Sequence, residues 1–200
     1  MNKDKLKDLL IFYSSSEKKM VTLQEYVSRM KEGQEAIYYA CGETTDKIDL
    51  TPQVEQVKDK GYEILYCTDY VDEFALQTLM TYEEKKFLNV AKDNLNLDTE
   101  EEKEEIKKLN EDNKDMFTLM KETLPDIKEV RFTNRLKTHP VCLVSEGNIS
   151  IEMEKVINAM PTDEQIKADK VLEINKDHKI AKKLEHLYET DKEALKDYTK

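Results

Sequence analysis

The run Ala36-Ile37-Tyr38-Tyr39-Ala40-Cys41 is apolar without alternation, and it narrows the folds open to this chain. A strand with one wet face alternates, so an unbroken run reads as a strand covered on both faces in a parallel sheet. The residues before it specify how the chain arrives. Thr22 and Glu25 form a capping box, with Val21 and Tyr26 placed as its hydrophobic staple. Leu23, Tyr26, Val27 and Met30 then recur at i, i+3, i+4 and i+7, which gives a helix one apolar stripe before Gly33 stops it. After the run, a polar turn over 43–49 leads to Thr51 as N-cap and Pro52 in the first helical position. Val54 and Val57 face inward, Gly61 ends the helix, and residues 62–67 read as the next strand. Strand, helix and strand in this order make a βαβ unit with a right-handed crossover.

The flanks are read in the same way. Leu6, Leu9, Leu10 and Tyr13 recur at helical spacing, predicting a helix over 3–13 that Ser14-Ser15-Ser16 breaks. Residues 86–92 alternate as an edge strand does. A turn-rich stretch at Asp93 followed by an abrupt acidic shift marks a domain boundary. Residues 1–92 are therefore expected to form a small parallel-sheet α/β/α domain, and residues 93–200 a mixed α+β domain.

In that second part, Thr99 and Glu102 make another capping box. The long helix it opens carries Ile106, Leu109, Met116, Phe117 and Met120 on one side, is interrupted at Asn113 and is closed by Pro125. Two strands are predicted around Val130–Phe132 and 141–144, flanking a turn centred on 135–140, and a third over 171–174. A helix over 177–188 covers them with Ile180, Leu184 and Leu187. Ile149, Met153, Val156, Ile157 and Met160 form an amphipathic segment bounded by Asn148 and Pro161.

Several function classes are disfavoured by composition. With 43 acidic against 32 basic residues and a net charge of −11, the chain lacks the concentrated Lys and Arg that nucleic acid or an anionic membrane demands. Its opening is too charged for a signal peptide, and no apolar run approaches the ~18 residues of a spanning helix. A cytoplasmic location is expected. The four glycines, at 33, 42, 61 and 147, cannot write a dinucleotide or P-loop motif. Neither the three histidines nor Cys41, Cys67 and Cys142 have metal-ligand spacing. Catalytic residues, metal and cofactor are all expected to be absent.

Four stretches, taken in order, resemble the heat-shock protein 90 family of ATP-dependent chaperones, bacterial type. They are KDLLIFYSSSEKKMVTLQEYV, YVSRMKEGQEAIYYACGE, DEFALQTLMTYEEKKF and VRFTNRLKTHPVCLV. The resemblance implies the end of that family's middle domain, followed by a C-terminal domain lacking its last dimerisation helices. It implies unfolded or partly folded client proteins as partners, a homodimeric parent and a monomeric or weakly dimeric chain here. ATP and Mg are implied for the parent alone, through a domain this chain does not contain. Glu73 and Phe74 match a surface implicated in client binding, with Phe where the family often has Trp. The segment carrying Ile149, Met153, Val156, Ile157 and Met160 matches a client-contacting amphipathic helix.

Residue by residue, that stripe reads first as a core-facing helix, since Met and aliphatic residues at this spacing most often pack, and second as a partly exposed surface, since Met suits promiscuous apolar partners. A small α/β enzyme is the alternative, with its ligand at the carboxyl edge of the parallel sheet, lined by residues 42–45 and 68–72.

Overall fold

The computed structural model describes residues 6–92, 95–161 and 165–200. Strands β1 (Ile11–Ser14), β2 (Met20–Thr22), β3 (Ala36–Cys41), β4 (Ile64–Cys67), β5 (Thr81–Tyr82) and β6 (Lys85–Asn89) form one sheet in the order β2-β1-β4-β3-β6-β5. The apolar run is β3, parallel to β4 on one side and to β6 on the other. Its pleat sends Ile37 and Tyr39 into one apolar cluster and Ala36, Tyr38 and Ala40 into a second. Helices α1 (Leu23–Ser28), α2 (Thr45–Asp49), α3 (Glu55–Asp59) and α4 (Asp72–Leu79) supply the covers. Leu23, Tyr26 and Leu76 close the first face, and Ile48 and Val57 the second. The parallel centre is thus an α/β/α sandwich, extended into a mixed sheet by antiparallel β1, β2 and β5.

The capping box at Thr22 and Glu25 is formed in both directions, and its staple residues Val21 and Tyr26 share one core. Elsewhere the structure differs from the expectation. The leucines at 6, 9 and 10 do not continue a helix to Tyr13, because Phe12 and Tyr13 pair with Val21 and Met20 across β1 and β2. Only a 3-10 turn at Lys7–Leu9 remains, and residues 1–5 lie outside those described. The polar turn over 43–49 holds α2, whose N-cap Thr44 accepts from the Lys47 amide and whose Ile48 is buried. The strand expected as an edge over 86–92 is β6, an inner strand ending at Asn89, with two-residue β5 outside it.

The loop joining β5 to β6 is Glu83-Glu84, with φ of 45° and 64°. A two-residue hairpin turn with both φ positive favours Asn-Gly, since a Cβ in this region is strained. Glu83→Asn with Glu84→Gly is therefore expected to raise stability by about 1 kcal/mol and the Tm by roughly 3 °C, read by thermal melting.

The second sheet contains β7 (Ile127–Thr133), β8 (Val141–Glu146) and β9 (Asp169–Asn175), in the order β7-β9-β8. The two strands expected to flank a turn are therefore not neighbours. β9 enters between them, parallel to β7 and antiparallel to β8, because its Val171 and Ile174 can be covered on opposite faces. Helices α5 (Glu100–Asp112) and α6 (Lys114–Glu122) meet at Asn113, and α7 (Ile151–Asn158), α8 (Lys179–Thr190) and α9 (Lys192–Thr199) follow. Met116, Phe117, Ala181, Leu184 and Leu195 pack on one face of the sheet with Phe132, whose ring meets Phe117 edge-on at 5.0 Å. α9 is an addition to the predicted elements. The proposed boundary residue Asp93 lies outside the described residues.

Candidate functional site

Polar groups join the two sheets at several places. Arg135, buried in the β7–β8 loop, donates through Nη1 to the Val90 carbonyl at 2.8 Å. The Ser145 amide donates to the Ala91 carbonyl at 2.9 Å, so β8 runs on from the end of β6. Glu55, on α3, receives the loop before β8. Its carboxylate accepts from the Lys137 amide at 2.7 Å and from the Thr138 amide and hydroxyl, and His139 Nδ1 lies 2.8 Å away.

Burial alone raises the Glu55 carboxyl, but the hydrogen bonds from Thr138, Lys137 and His139 outweigh it and hold the group down at about 2. A folded-state value below the unfolded one contributes stability at neutral pH that is lost as pH falls from about 4.5 toward 2. Acid titration of unfolding stability is expected to show that loss, on the order of 1 kcal/mol once solvent screening of this partly exposed carboxylate is allowed for. Glu55→Gln flattens the acid limb; a variant with the same acid limb would contradict the clasp.

A further link carries the candidate site. Glu73 lies in the first turn of α4 and, against its reading as a surface contact, is only 4% exposed. Its Oε1 accepts from Asn89 Nδ2 at 2.7 Å, and its Oε2 from Ser150 Oγ at 2.6 Å. Ser150 is the N-cap of α7 and accepts from the Met153 amide at 3.0 Å. One turn along α4, Gln77 Nε2 donates to Met153 Sδ at 3.1 Å. α7 is thereby seated against the carboxyl edge of the first sheet.

Glu73, Phe74, Met153 and Val156 come together around one cleft, with Cys41 and Cys67 at its floor and Tyr70 at its rim. Of the amphipathic residues, Met153 turns inward at 8% exposure, while Val156 and Ile157 are half-buried and Met160 stands 47% exposed beyond the helix. Ile149 precedes the cap, half-buried, and it, Ile157 and Met160 do not line the cleft. Tyr70 and Val71, at 76% and 69% exposure, add apolar surface that the sequence reading passed over. The sequence reading also missed Ser150 and Gln77, although Gln77 lies four residues after Glu73 on one helix face.

The cleft encloses about 40 Å³, far less than the ~300–1,000 Å³ of small-molecule sites. α7 fills the edge where an α/β enzyme would hold its ligand. A larger polar cavity of about 400 Å³ lies beside β7, and its Arg131, Arg135 and Glu173 are committed to one another. Burial raises the Cys67 thiol, as suits structural sulfur. Among the described residues no group of three or more His, Cys, Asp or Glu could hold a metal, and no helix is long and apolar enough to cross a membrane. The site is a shallow apolar surface framed by the hydrogen bonds that Glu73 and Gln77 make to Asn89, Ser150 and Met153.

Comparison with known proteins agrees with this arrangement. The model of the Hsp90 protein family matches residues 1–200. The chain belongs to the Hsp90 family. Among its relatives is the chaperone protein HtpG of Clostridium botulinum strain Langeland, 56% identical over 199 residues, or 99% of this chain and 32% of that protein. HtpG of Oceanobacillus iheyensis is 57% identical and HtpG of Bacillus subtilis strain 168 is 52% identical, each over the same shares. The chain thus spans about a third of the length of these Hsp90 relatives. The fold described above is that of a part of an Hsp90-type chaperone, and the enzyme alternative finds no support.

Proposed function

We propose that this chain supplies client-binding surface within an ATP-dependent, cytoplasmic chaperone, holding unfolded or partly folded proteins by apolar contact without reacting with them. ATP and Mg are handled by the remainder of such a protein. The observation that carries this reading is the cleft, where Phe74 from one sheet's helix meets Met153 and Val156 from the other's, with Tyr70 exposed at its rim and Met160 exposed four residues after Val156. Exposed apolar patches mark interaction sites, and thioether side chains adapt to varied partners. The surrounding excess of negative charge favours basic, unfolded segments, so binding of an acidic unfolded probe isolates the apolar contribution.

Met153 is too buried for a clean surface test, so the substitutions belong at Val156 and Met160. Val156→Ser with Met160→Ser is expected to weaken binding of reduced, carboxymethylated α-lactalbumin about tenfold, read by fluorescence polarisation, with less than about 1.5 kcal/mol lost in stability. Unchanged affinity would overturn the proposal.

A further inference from the structure

Glu73 is buried, yet it lies in the first turn of the helix that carries Phe74, and the residue it grips sits on a different sheet's connection. Both its carboxylate oxygens are occupied, Oε1 by Asn89 at the end of β6 and Oε2 by Ser150. Ser150 is itself 1% exposed and uses the same Oγ to receive the Met153 amide. A client chain therefore has no open face of Glu73 to touch.

Resting on the client-binding reading above, we infer that Glu73 is a positioning residue: through Ser150 it fixes the start of α7, and so sets Met153 and Val156 opposite Phe74. The Oγ–H donated to an ionised, buried acceptor is of the stronger class of hydrogen bond. It also orients Oγ so that a lone pair is left for the Met153 amide, which ties the cap of α7 to the charge on α4. The rest of α7 is held from its own side. Glu154 accepts from the Ala168 amide and Lys170 Nζ, and Asn158 exchanges two hydrogen bonds with Ile166. Among the described residues, the hydrogen bonds that α7 and its cap share with the other sheet's helix, from Glu73 and Gln77, reach Ser150 and Met153, and it is this first turn that carries Met153 into the cleft. When the link is cut, the helix survives but its N-terminal turn loosens, and the cleft is no longer pre-formed for a partner.

Glu73→Ala, Ser150→Ala, the double variant and Ser150→Thr, each in the full 200-residue chain, test this assignment. Amide hydrogen exchange at Met153 and Glu154, the two amides bonded to the Ser150 cap, is expected to rise about tenfold in either alanine variant and no further in the double, the size of one charge-assisted hydrogen bond lost. Amides of β3 and β4 stay protected, and Ser150→Thr, which keeps the hydroxyl, restores slow exchange. Affinity for reduced, carboxymethylated α-lactalbumin falls by the same factor in Glu73→Ala and Ser150→Ala. If Glu73 touched the client, its loss would weaken binding while Ser150→Ala would not, and the positioning role is overturned. Unaltered exchange in both alanine variants overturns it too, and should Glu73→Ala fail to fold, Ser150→Ala alone decides. A failure of the client reading shows separately, as unchanged affinity in Val156→Ser/Met160→Ser whatever the exchange rates are.

Discussion

Glu173→Ala is expected to lower the unfolding free energy by about 3–5 kcal/mol, the loss typical of breaking a buried ion pair from one side. Glu173 lies in the middle of β9, 2% exposed. Its Oε1 accepts from Arg131 Nη2 at 2.7 Å, and its Oε2 lies 3.0 Å from Arg135 Nε. Arg131 is partly exposed and can turn to water, whereas the Arg135 side chain is 4% exposed and cannot. Removing the carboxylate takes away the negative charge 3.0 Å from a buried guanidinium, and the Tm is expected to fall on the order of 10 °C. The contrasting variant Glu173→Leu with Arg135→Met removes both buried charges and recovers most of that loss in chemical denaturation. It also removes the bond from Arg135 to the Val90 carbonyl, so exchange of amides around residue 90 rises although global stability returns. Equal damage from the single and the double variant would show that packing, not charge, holds β9.

Tyr26→Phe is the second large effect, expected at about 3 kcal/mol. The Tyr26 hydroxyl donates to the Glu63 carbonyl at 2.7 Å and accepts from Gln34 Nε2 at 2.9 Å and the Tyr38 amide at 3.1 Å. It thus links α1 to the starts of both β3 and β4. Phenylalanine keeps the ring in its core, so little apolar burial is lost, but three polar groups lose a partner where water is excluded. Each such group costs about 1–3 kcal/mol when stranded, partly relieved by relaxation. Guanidinium unfolding reads the loss directly, and a change below about 1 kcal/mol would mean that the hydroxyl is dispensable.

What could be read from the sequence was local. The doubly covered β3 was legible because its buried length has no polar interruption, and α1 because its box and staple lie within six residues, 21–26. The helix wrongly expected up to Tyr13 shows the converse. Leucines at helical spacing meet there with Ile11-Phe12-Tyr13, and the pairing with residues 20–22 decides for a strand. No window of sequence could place β9 between β7 and β8, since sheet order is a non-local property.

The candidate site divides along the same line. Met153 and Val156 were found by periodicity, and Glu73 and Phe74 by resemblance, but the burial of Glu73 was not visible. Its partners Asn89 and Ser150 lie 16 and 77 residues away, and an acid in a helix's first turn ordinarily reads as a dipole contact.

The central claim is that non-native chains are held at the cleft face, and site-specific photo-crosslinking tests it most directly. Benzoylphenylalanine is placed at Met160, four residues after the cleft residue Val156, and separately at Tyr198, an equally exposed apolar position on α9. With reduced, carboxymethylated α-lactalbumin, adducts are expected from position 160 and at most background from 198. Equal yields at both positions, or none at 160, would contradict it.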